Sequence, residues 1–139
     1  MKKSRSNCPQ SLILEIIGDP WTLLIIRDMM LNEKRYFREF LESKEKIASN
    51  ILSGRLKLLE EEKIIWRARD DHHKQKIRYS LTQKGIDLLP ILIENARWSL
   101  TYKSVDTQDK IKAEAIIEGG PKMLRKMIKD LQVVHLGHK

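Results

Sequence analysis

Residues 49–81 read SNILSGRLKLLEEEKIIWRARDDHHKQKIRYSL, and this stretch decides the fold. Leu52, Leu56 and Leu59 recur at the three- and four-residue spacing that puts side chains on one face of a helix. The runs 64–69 and 76–81 are rich in β-branched and aromatic residues, and residues 70–75 join them as a turn would. The stretch therefore predicts an amphipathic helix followed directly by a two-stranded β-hairpin.

The outward face of this predicted helix is small, polar and basic. We expect the helix to begin at Ser49 as its N-cap and to end near Glu62. Small side chains permit close approach to base edges, asparagine can form two hydrogen bonds with adenine, and lysine or arginine can reach guanine or phosphate. The acidic run 60–62 would repel phosphates, so the amino-terminal end is the one that can enter a DNA groove. The predicted DNA-contacting residues of the helix are Ser49, Asn50, Ser53, Gly54, Arg55 and Lys57.

Basic side chains also flank the predicted hairpin. One interpretation is an exposed strand edge that its charges protect against aggregation. The other is a wing whose tip lies along a minor groove, where positive side chains meet concentrated negative potential. The position directly after the helix favours the wing. Its predicted DNA-contacting residues are Arg69, Lys74, Lys76 and Arg78.

The composition of the 139 residues agrees with a nucleic-acid partner. The formal net charge is +8, and the lysines and arginines are spread along the chain rather than gathered on one membrane-binding helix. The polar, basic residues 1–7 lead into no long apolar run, which predicts neither a signal peptide nor a membrane span. The single cysteine cannot form an internal disulfide, which is typical of a reducing compartment. We therefore expect a cytoplasmic protein.

The segments before the key helix predict a mainly helical fold. Residues 11–17 form a short apolar helix that ends at Gly18, which we expect in a left-handed conformation. Asp19 is expected to cap a second helix with Pro20 at its first position, and that helix is apolar on most of its circumference. Residues 36–41 form a third short helix or turn.

The segments after the hairpin predict further helices. Thr82 is expected to cap a long helix that continues to Trp98 and is kinked at Pro90. Asp106 or Thr107 opens another helix, residues 119–121 break it, and an apolar stripe marks a last one. We predict a winged helix-turn-helix DNA-binding domain at residues 1–100 and a C-terminal helical extension at 101–139, which serves dimerisation or packs on the core.

Several segments in chain order resemble the HxlR-type family of bacterial winged helix-turn-helix regulators, within the MarR-like superfamily. They are Cys8-Pro9, IGDPWTLLIIRD at 17–28, FREF at 37–40, ILSGRLKLLE at 51–60 and YSLTQKG at 79–85. The resemblance implies a homodimer held by the first and C-terminal helices, with one helix in each of two major grooves of a pseudo-palindromic operator and with wings reaching outward. It implies repression or activation of nearby genes.

Cys8 has two interpretations. A free cysteine is most often a small buried hydrophobe. Alternatively, Lys2, Lys3, Arg5 or a helix N-terminus favours its reactive thiolate form. The family resemblance implies the reactive thiolate, since several relatives sense electrophiles or oxidants through a cysteine at this place. The implied effector is then a small molecule of one of these kinds. Oxidation would then produce a mixed disulfide, an intersubunit bridge or a sulfenic acid.

No other side chains predict a cofactor, a metal site or catalysis. His72, His73, His135 and His138 lack further ligands at zinc-like spacing and are expected to be solvated. No nucleophile with an adjacent base and no phosphate-binding glycine loop is recognisable, so we expect no enzyme. The alternative function is a winged-helix module that binds another protein without DNA. The tryptophans are expected in the core, although an aromatic ligand pocket stays open as an alternative: Trp21, Trp66 and Trp98.

Overall fold

The computed structural model describes residues 3–137 and is mainly helical with one antiparallel hairpin, as the sequence predicts. Two compact units are present, the first ending at Leu81 and the second beginning at Thr82. The division by role at residue 100 stays a prediction, because compactness does not test a role. The elements are α1 (Pro9–Ile17), α2 (Thr22–Leu31), α3 (Phe37–Leu41), α4 (Ser49–Glu61), β1 (Ile65–Arg69), β2 (Ile77–Leu81), α5 (Gln83–Ile86), α6 (Leu89–Tyr102), α7 (Thr107–Glu118) and α8 (Gly120–Leu136).

The α1–α2 junction differs from the prediction in two details. Asp19 does cap free amides at the start of α2, since its carboxylate accepts hydrogen bonds from the backbone N of Trp21 and Thr22, both at 2.9 Å, although the N-cap position itself is Trp21. Burial alone would raise the pKa of Asp19, but these bonds and one from the Thr22 hydroxyl lower it. The helix begins only at Thr22, so Pro20 precedes it. Gly18 has φ −76°, which is not left-handed. It suits the position for another reason, because a Cβ there would lie 2.3 Å from the Leu14 carbonyl oxygen.

The core of the first unit confirms the leucine stripe. Leu52, Leu56 and Leu59 have 0, 3 and 0% exposure. Behind them Phe40 packs edge-on against Tyr79 of the hairpin, with ring centroids 6.2 Å apart. α4 therefore has one face fixed in the core and the opposite face exposed.

Both ends of α4 are defined by backbone geometry. Ala48 is the N-cap and Ser49 is already helical, so the expected N-cap role of Ser49 is wrong by one residue. At the other end Lys63 adopts a left-handed φ of 60°. The Lys63 N donates to the Glu60 O at 3.0 Å and the Ile64 N donates to the Leu59 O at 2.9 Å, which is the Schellman arrangement. This reversal turns the chain into β1, so only residues 62–64 separate α4 from the hairpin.

The hairpin is a regular antiparallel pair in which Arg67 faces Tyr79 and Arg69 faces Ile77. The sequence predicted both strands to within one residue. At the far edge of β2, the Tyr79 N donates to the Arg35 O at 2.8 Å. The segment before α3 therefore supports the second strand from outside the hairpin.

The second unit has two helices, α5 and α6, where the sequence predicted one kinked helix. The Thr82 hydroxyl accepts a hydrogen bond from the Gly85 N, which confirms the cap. α5 nevertheless ends at Ile86, and α6 begins at Leu89 with Pro90 in its first turn. Proline costs no hydrogen bond there, whereas inside a continuous helix it would cost one. The predicted break at 119–121 is confirmed, because Gly120 has φ 59° and starts α8.

Two side chains of the second unit lie in environments that differ from the predictions. His135 is only 2% exposed, so it is not a solvated residue. His138 lies outside the described residues. Trp98 is 57% exposed, so it is not in the core, and its ring lies 5.2 Å from that of Tyr102. One turn separates these two aromatic residues, which places both on the same side of α6.

Candidate nucleic-acid interface

The exposed face of α4 is built from the residues that the sequence singled out. Asn50, Ser53, Gly54 and Lys57 occupy an arc of about 100° at 100° per residue, and all of them are exposed. Ser49 is exposed beside them on the first turn. With the leucines buried behind, the fold holds this face rigidly toward the outside.

Arg55 lies at the flank of this face. Its Nη1 is 3.5 Å from Oδ1 of Asp19, the carboxylate that caps α2. The ion pair ties the flank of α4 to the start of α2.

Gly54 leaves a gap on the exposed face. Among residues 3–137, no heavy atom outside its own helix backbone and chain neighbours lies within 4 Å of the position that a Cβ would take there. The backbone of α4 is helical at this point, so no unusual dihedral angle requires glycine either. The fold does not explain the glycine, whereas close approach of another molecule would.

The basic residues of the wing do not all face outward. Lys74 is exposed at the tip, where its carbonyl oxygen accepts a hydrogen bond from Arg69 Nη1 at 2.8 Å. Lys76 is exposed, and its Nζ lies 3.9 Å from the centroid of the Tyr36 ring. Arg78 has a side chain that is only 13% exposed, with Nη1 3.9 Å from Asp70 Oδ1. Lys74, Lys76 and Arg69 are thus accessible, and Arg78 belongs to the inside of the wing.

Sequence reasoning missed the residues that hold the wing in place. The Tyr36 hydroxyl donates to Asp70 Oδ1 at 2.6 Å. This hydrogen bond raises the pKa of Tyr36 and lowers that of Asp70. Arg35 Nε donates to the Tyr79 O at 3.1 Å, and its guanidinium also bonds the Ser80 hydroxyl. Burial and the neighbouring Arg78 lower the pKa of Arg35.

A second missed cluster fixes the turn before α4. Arg27 donates to both carboxylate oxygens of Glu45, at 2.8 and 2.9 Å. This bidentate pair lowers the pKa of Glu45 to about 2 and raises that of Arg27. The buried carboxylate of Asp28 accepts further hydrogen bonds from Arg27 and Asn32. These contacts connect α2 to the α3–α4 turn and so help to orient α4.

A surface groove of about 470 Å³ adjoins the exposed face of α4. Its walls mix aromatic residues with charges, and one pair of these, Arg67 Nε and Glu60 Oε1, lies 3.2 Å apart. Its lining residues are Phe37, Ser53, Leu56, Lys57, Glu60, Glu61, Arg67 and Tyr79. Within residues 3–137, no group of His, Cys, Asp and Glu is arranged to hold a metal ion.

Cys8 is exposed, so its interpretation as a buried hydrophobe is wrong. It is the N-cap of α1, and its carbonyl oxygen accepts a hydrogen bond from the Leu12 N at 3.0 Å. The thiol therefore stands at the amino-terminal end of a helix. Lys3 and Arg5 are exposed nearby in the chain, and Lys2 lies outside the described residues.

α3, its turn and α4, followed by the β1–β2 wing, define a winged helix-turn-helix protein. Residues 16–107 match the HxlR-like helix-turn-helix family, and the chain belongs to that family. It is a helix-turn-helix protein of a transcription-regulator family. No helix among residues 3–137 combines the length and apolar character needed to cross a membrane.

The chain is similar to several regulators. YdeP of Bacillus subtilis, an uncharacterized HTH-type transcriptional regulator, is 33% identical over 106 residues, which cover 76% of this chain and 80% of YdeP. The crystal structure of PA1607, a candidate transcription factor, superposes with a TM-score of 0.66 at 32% identity, over 74% of this chain and 70% of PA1607. The redox regulator HypR in its oxidized form gives a TM-score of 0.61 at 30% identity, over 70% of this chain and 100% of HypR.

Proposed function

We propose that this protein is a sequence-specific transcriptional regulator that places the amino-terminal half of α4 in the major groove of its operator. The observation that carries the proposal is the exposed face of Asn50, Ser53, Gly54 and Lys57 opposite a buried leucine stripe. An amide, a hydroxyl, a gap and an ammonium group together can read base edges at close range. Ser49 on the first turn and Arg55 at the flank complete the set.

The wing supplies contacts to the backbone and the minor groove. Lys74, Lys76 and Arg69 are exposed cations of the wing. Arg78 contributes through the electrostatic potential of the wing rather than by reaching out, since its guanidinium faces Asp70 and Asp71. These contacts position the protein and carry little sequence information.

The regulator acts as a homodimer on a pseudo-palindromic operator. One reading helix per chain gives limited specificity, and twofold symmetry doubles the number of bases read. α1 exposes Leu12 and Leu14, and α6 exposes Trp98 and Tyr102. Exposed apolar side chains on these helices support their use in joining two chains, as the family resemblance implies.

Cys8 makes operator binding responsive to oxidants or electrophiles. Cys8 is exposed at the amino-terminal end of α1, so its sulfur is accessible to such compounds. Similarity to the redox regulator HypR supports the same role. The protein works in the reducing cytoplasm, where this thiol stays free until such a compound appears.

The function is regulatory and not enzymatic, and it can be tested with the purified protein. Genomic fragments that co-purify with the protein are sequenced, and the affinity for the most enriched fragment is measured against that for a scrambled duplex between 50 and 200 mM KCl. We expect a shared pseudo-palindrome, a clear preference for it, and affinity that falls steeply with salt. A module that binds only other proteins would enrich no shared sequence, and that result would overturn the proposal.

A further inference from the structure

α8 has two opposite faces. Toward the other helices of the second unit it buries Leu131 and His135, and it contacts α5 and α7. Its other face is cationic, and these exposed residues recur at the spacing i, i+3, i+4 and i+7, within an arc of about 100°. We call them the α8 stripe: Lys122, Arg125, Lys126 and Lys129.

Most of the α8 stripe has no counter-charge in the part of the chain that the structure describes. Lys126 Nζ pairs with Asp130 Oδ2 at 2.8 Å. Within residues 3–137, Lys122, Arg125 and Lys129 have no carboxylate partner. Like charges three and four residues apart destabilise a helix. The stripe therefore does not serve the stability of α8, and an external polyanion would relieve its repulsion.

The α8 stripe lies outside the domain that the chain shares with its family. The family match ends at residue 107, whereas α8 begins at Gly120. We propose that the α8 stripe binds the phosphate backbone of duplex DNA, as a contact surface of its own beyond α4 and the wing. The inference rests on the proposed function only in taking duplex DNA as the partner.

The dimensions and chemistry of the stripe favour duplex DNA over a membrane. From residue 122 to residue 129 a helix rises about 10 Å. Each strand of duplex DNA carries one phosphate for about every 3.4 Å of the duplex axis, so a length of about 10 Å along that axis spans about three phosphates of one strand. A membrane-surface helix inserts its apolar face into lipid, but the apolar face of α8 packs on α5 and α7.

The test compares two variants of the full-length protein with the same change in net charge. The stripe variant carries K122Q, R125Q and K129Q, and the control variant carries K103Q, K110Q and K112Q at other exposed positions of the second unit. Binding to a 60-base-pair duplex without the operator is measured by fluorescence anisotropy from 50 to 200 mM KCl. Thermal unfolding of both variants is followed, and we expect the stripe variant to melt no lower than wild type.

We expect the stripe variant to bind more weakly and with a shallower salt dependence. Three lost phosphate contacts make the negative slope of log K against log [KCl] shallower by about 2.7 for each chain engaged. Between 50 and 200 mM KCl, the stripe variant should therefore lose about 40-fold less affinity than wild type loses. The control variant should stay within about twofold of wild type, since its changes remove no phosphate contact. If both variants lose the same duplex affinity, the effect comes from net charge alone. If the stripe variant loses none, the stripe is a solvated surface that does not bind DNA. Either result overturns the proposal.

Two further arms separate this inference from its alternatives. Vesicles with 30% phosphatidylserine test the membrane, because Val133 extends the same arc with an exposed apolar side chain. If wild type binds these vesicles and the stripe variant does not, while both bind the duplex equally, the proposal is overturned. The operator fragment tests the proposed function separately. A further outcome is that wild type shows no operator preference while the stripe variant still loses duplex affinity. That result would contradict the proposed function and would support DNA binding by the α8 stripe.

Discussion

The hydroxyl of Tyr36 donates a 2.6 Å hydrogen bond to Oδ1 of Asp70, thirty-four positions later in the chain. Tyr36 directly precedes α3, and Asp70 directly follows β1 at the start of the wing turn. The bond therefore joins the helix-turn-helix to the wing. Lys76 lies over the same tyrosine ring, so one side chain meets both sides of the wing turn.

Tyr36→Phe should loosen the wing without unfolding the domain. The ring and its contact with Lys76 remain, while the hydrogen bond to a charged acceptor is lost. We expect faster amide hydrogen exchange across residues 70–76 and weaker DNA binding, with little change in the melting temperature. Tyr102→Phe is the control, because Tyr102 is an exposed tyrosine of α6. Unchanged exchange in the wing of Tyr36→Phe would show that the bond does not hold it.

Glu45→Gln should produce a stability loss that depends on pH. The pKa of Glu45 is about 2 in the folded protein and about 4.5 ordinarily, mainly because of the Arg27 hydrogen bonds. A lowered folded pKa contributes stability that is complete above about pH 5 and is lost as pH falls toward 2. Because the side chain is partly exposed, we expect Glu45→Gln to cost about 1–2 kcal/mol at pH 7.

Urea denaturation of wild type and Glu45→Gln at pH 7, 5, 4 and 3 measures this difference. It should be constant from pH 7 to 5 and should shrink below that. Glu94→Gln removes an exposed ion pair with Arg97 and serves as the control, with a change of less than about 0.5 kcal/mol. A difference for Glu45→Gln that is the same at pH 7 and pH 3 would contradict the assignment.

Gly54→Ala should separate stability from DNA binding. Alanine in a helix interior is favoured over glycine by about 1 kcal/mol, and the free protein has room for the methyl group. We expect a higher melting temperature together with weaker operator binding, because the added methyl lies on the face proposed to meet the bases. A more stable variant that binds its operator as well as wild type would place Gly54 away from the DNA.

Cys8→Ser should abolish the response to oxidants. Diamide oxidises two thiols to a disulfide, so it is expected to weaken operator binding by wild type through an intersubunit bridge between two Cys8 side chains, or through a mixed disulfide when a small thiol is added. Dithiothreitol should then restore binding. An electrophilic aldehyde is expected to act through a thiol adduct. The Cys8→Ser protein has no thiol, so its affinity should stay constant. Gel shifts with and without diamide make the comparison, and equal responses of both proteins would remove the sensing role.

Local pattern predicted the elements that local interactions determine. The leucine spacing of α4, the two strands of the wing and the cap at Thr82 all depend on residues close in the chain, and each was confirmed. Pro90 was harder, because the pattern does not say whether a proline kinks a helix or starts one. The exposed Trp98 shows that an apolar residue on an amphipathic helix need not be covered within one chain.

The candidate site was predictable only where exposure follows from helical periodicity. Asn50, Ser53 and Lys57 face outward because the leucines face inward. The supports of the site come from distant segments instead. Arg27 and Glu45 are eighteen positions apart, and nothing in either local sequence indicates their pairing. Arg78 looked like its basic neighbours in the wing, yet the carboxylates of the wing turn hold it inside.

The central claim is that the amino-terminal half of α4 reads bases while the wing contacts the backbone. The direct measurement is the ratio of operator to scrambled-duplex affinity for Asn50→Ala, Ser53→Arg and Lys76→Ala. We predict that the first two lower this ratio by about 10- to 100-fold, as lost base contacts do, and that Lys76→Ala weakens both affinities equally. Full sequence preference in Asn50→Ala and Ser53→Arg would contradict the account.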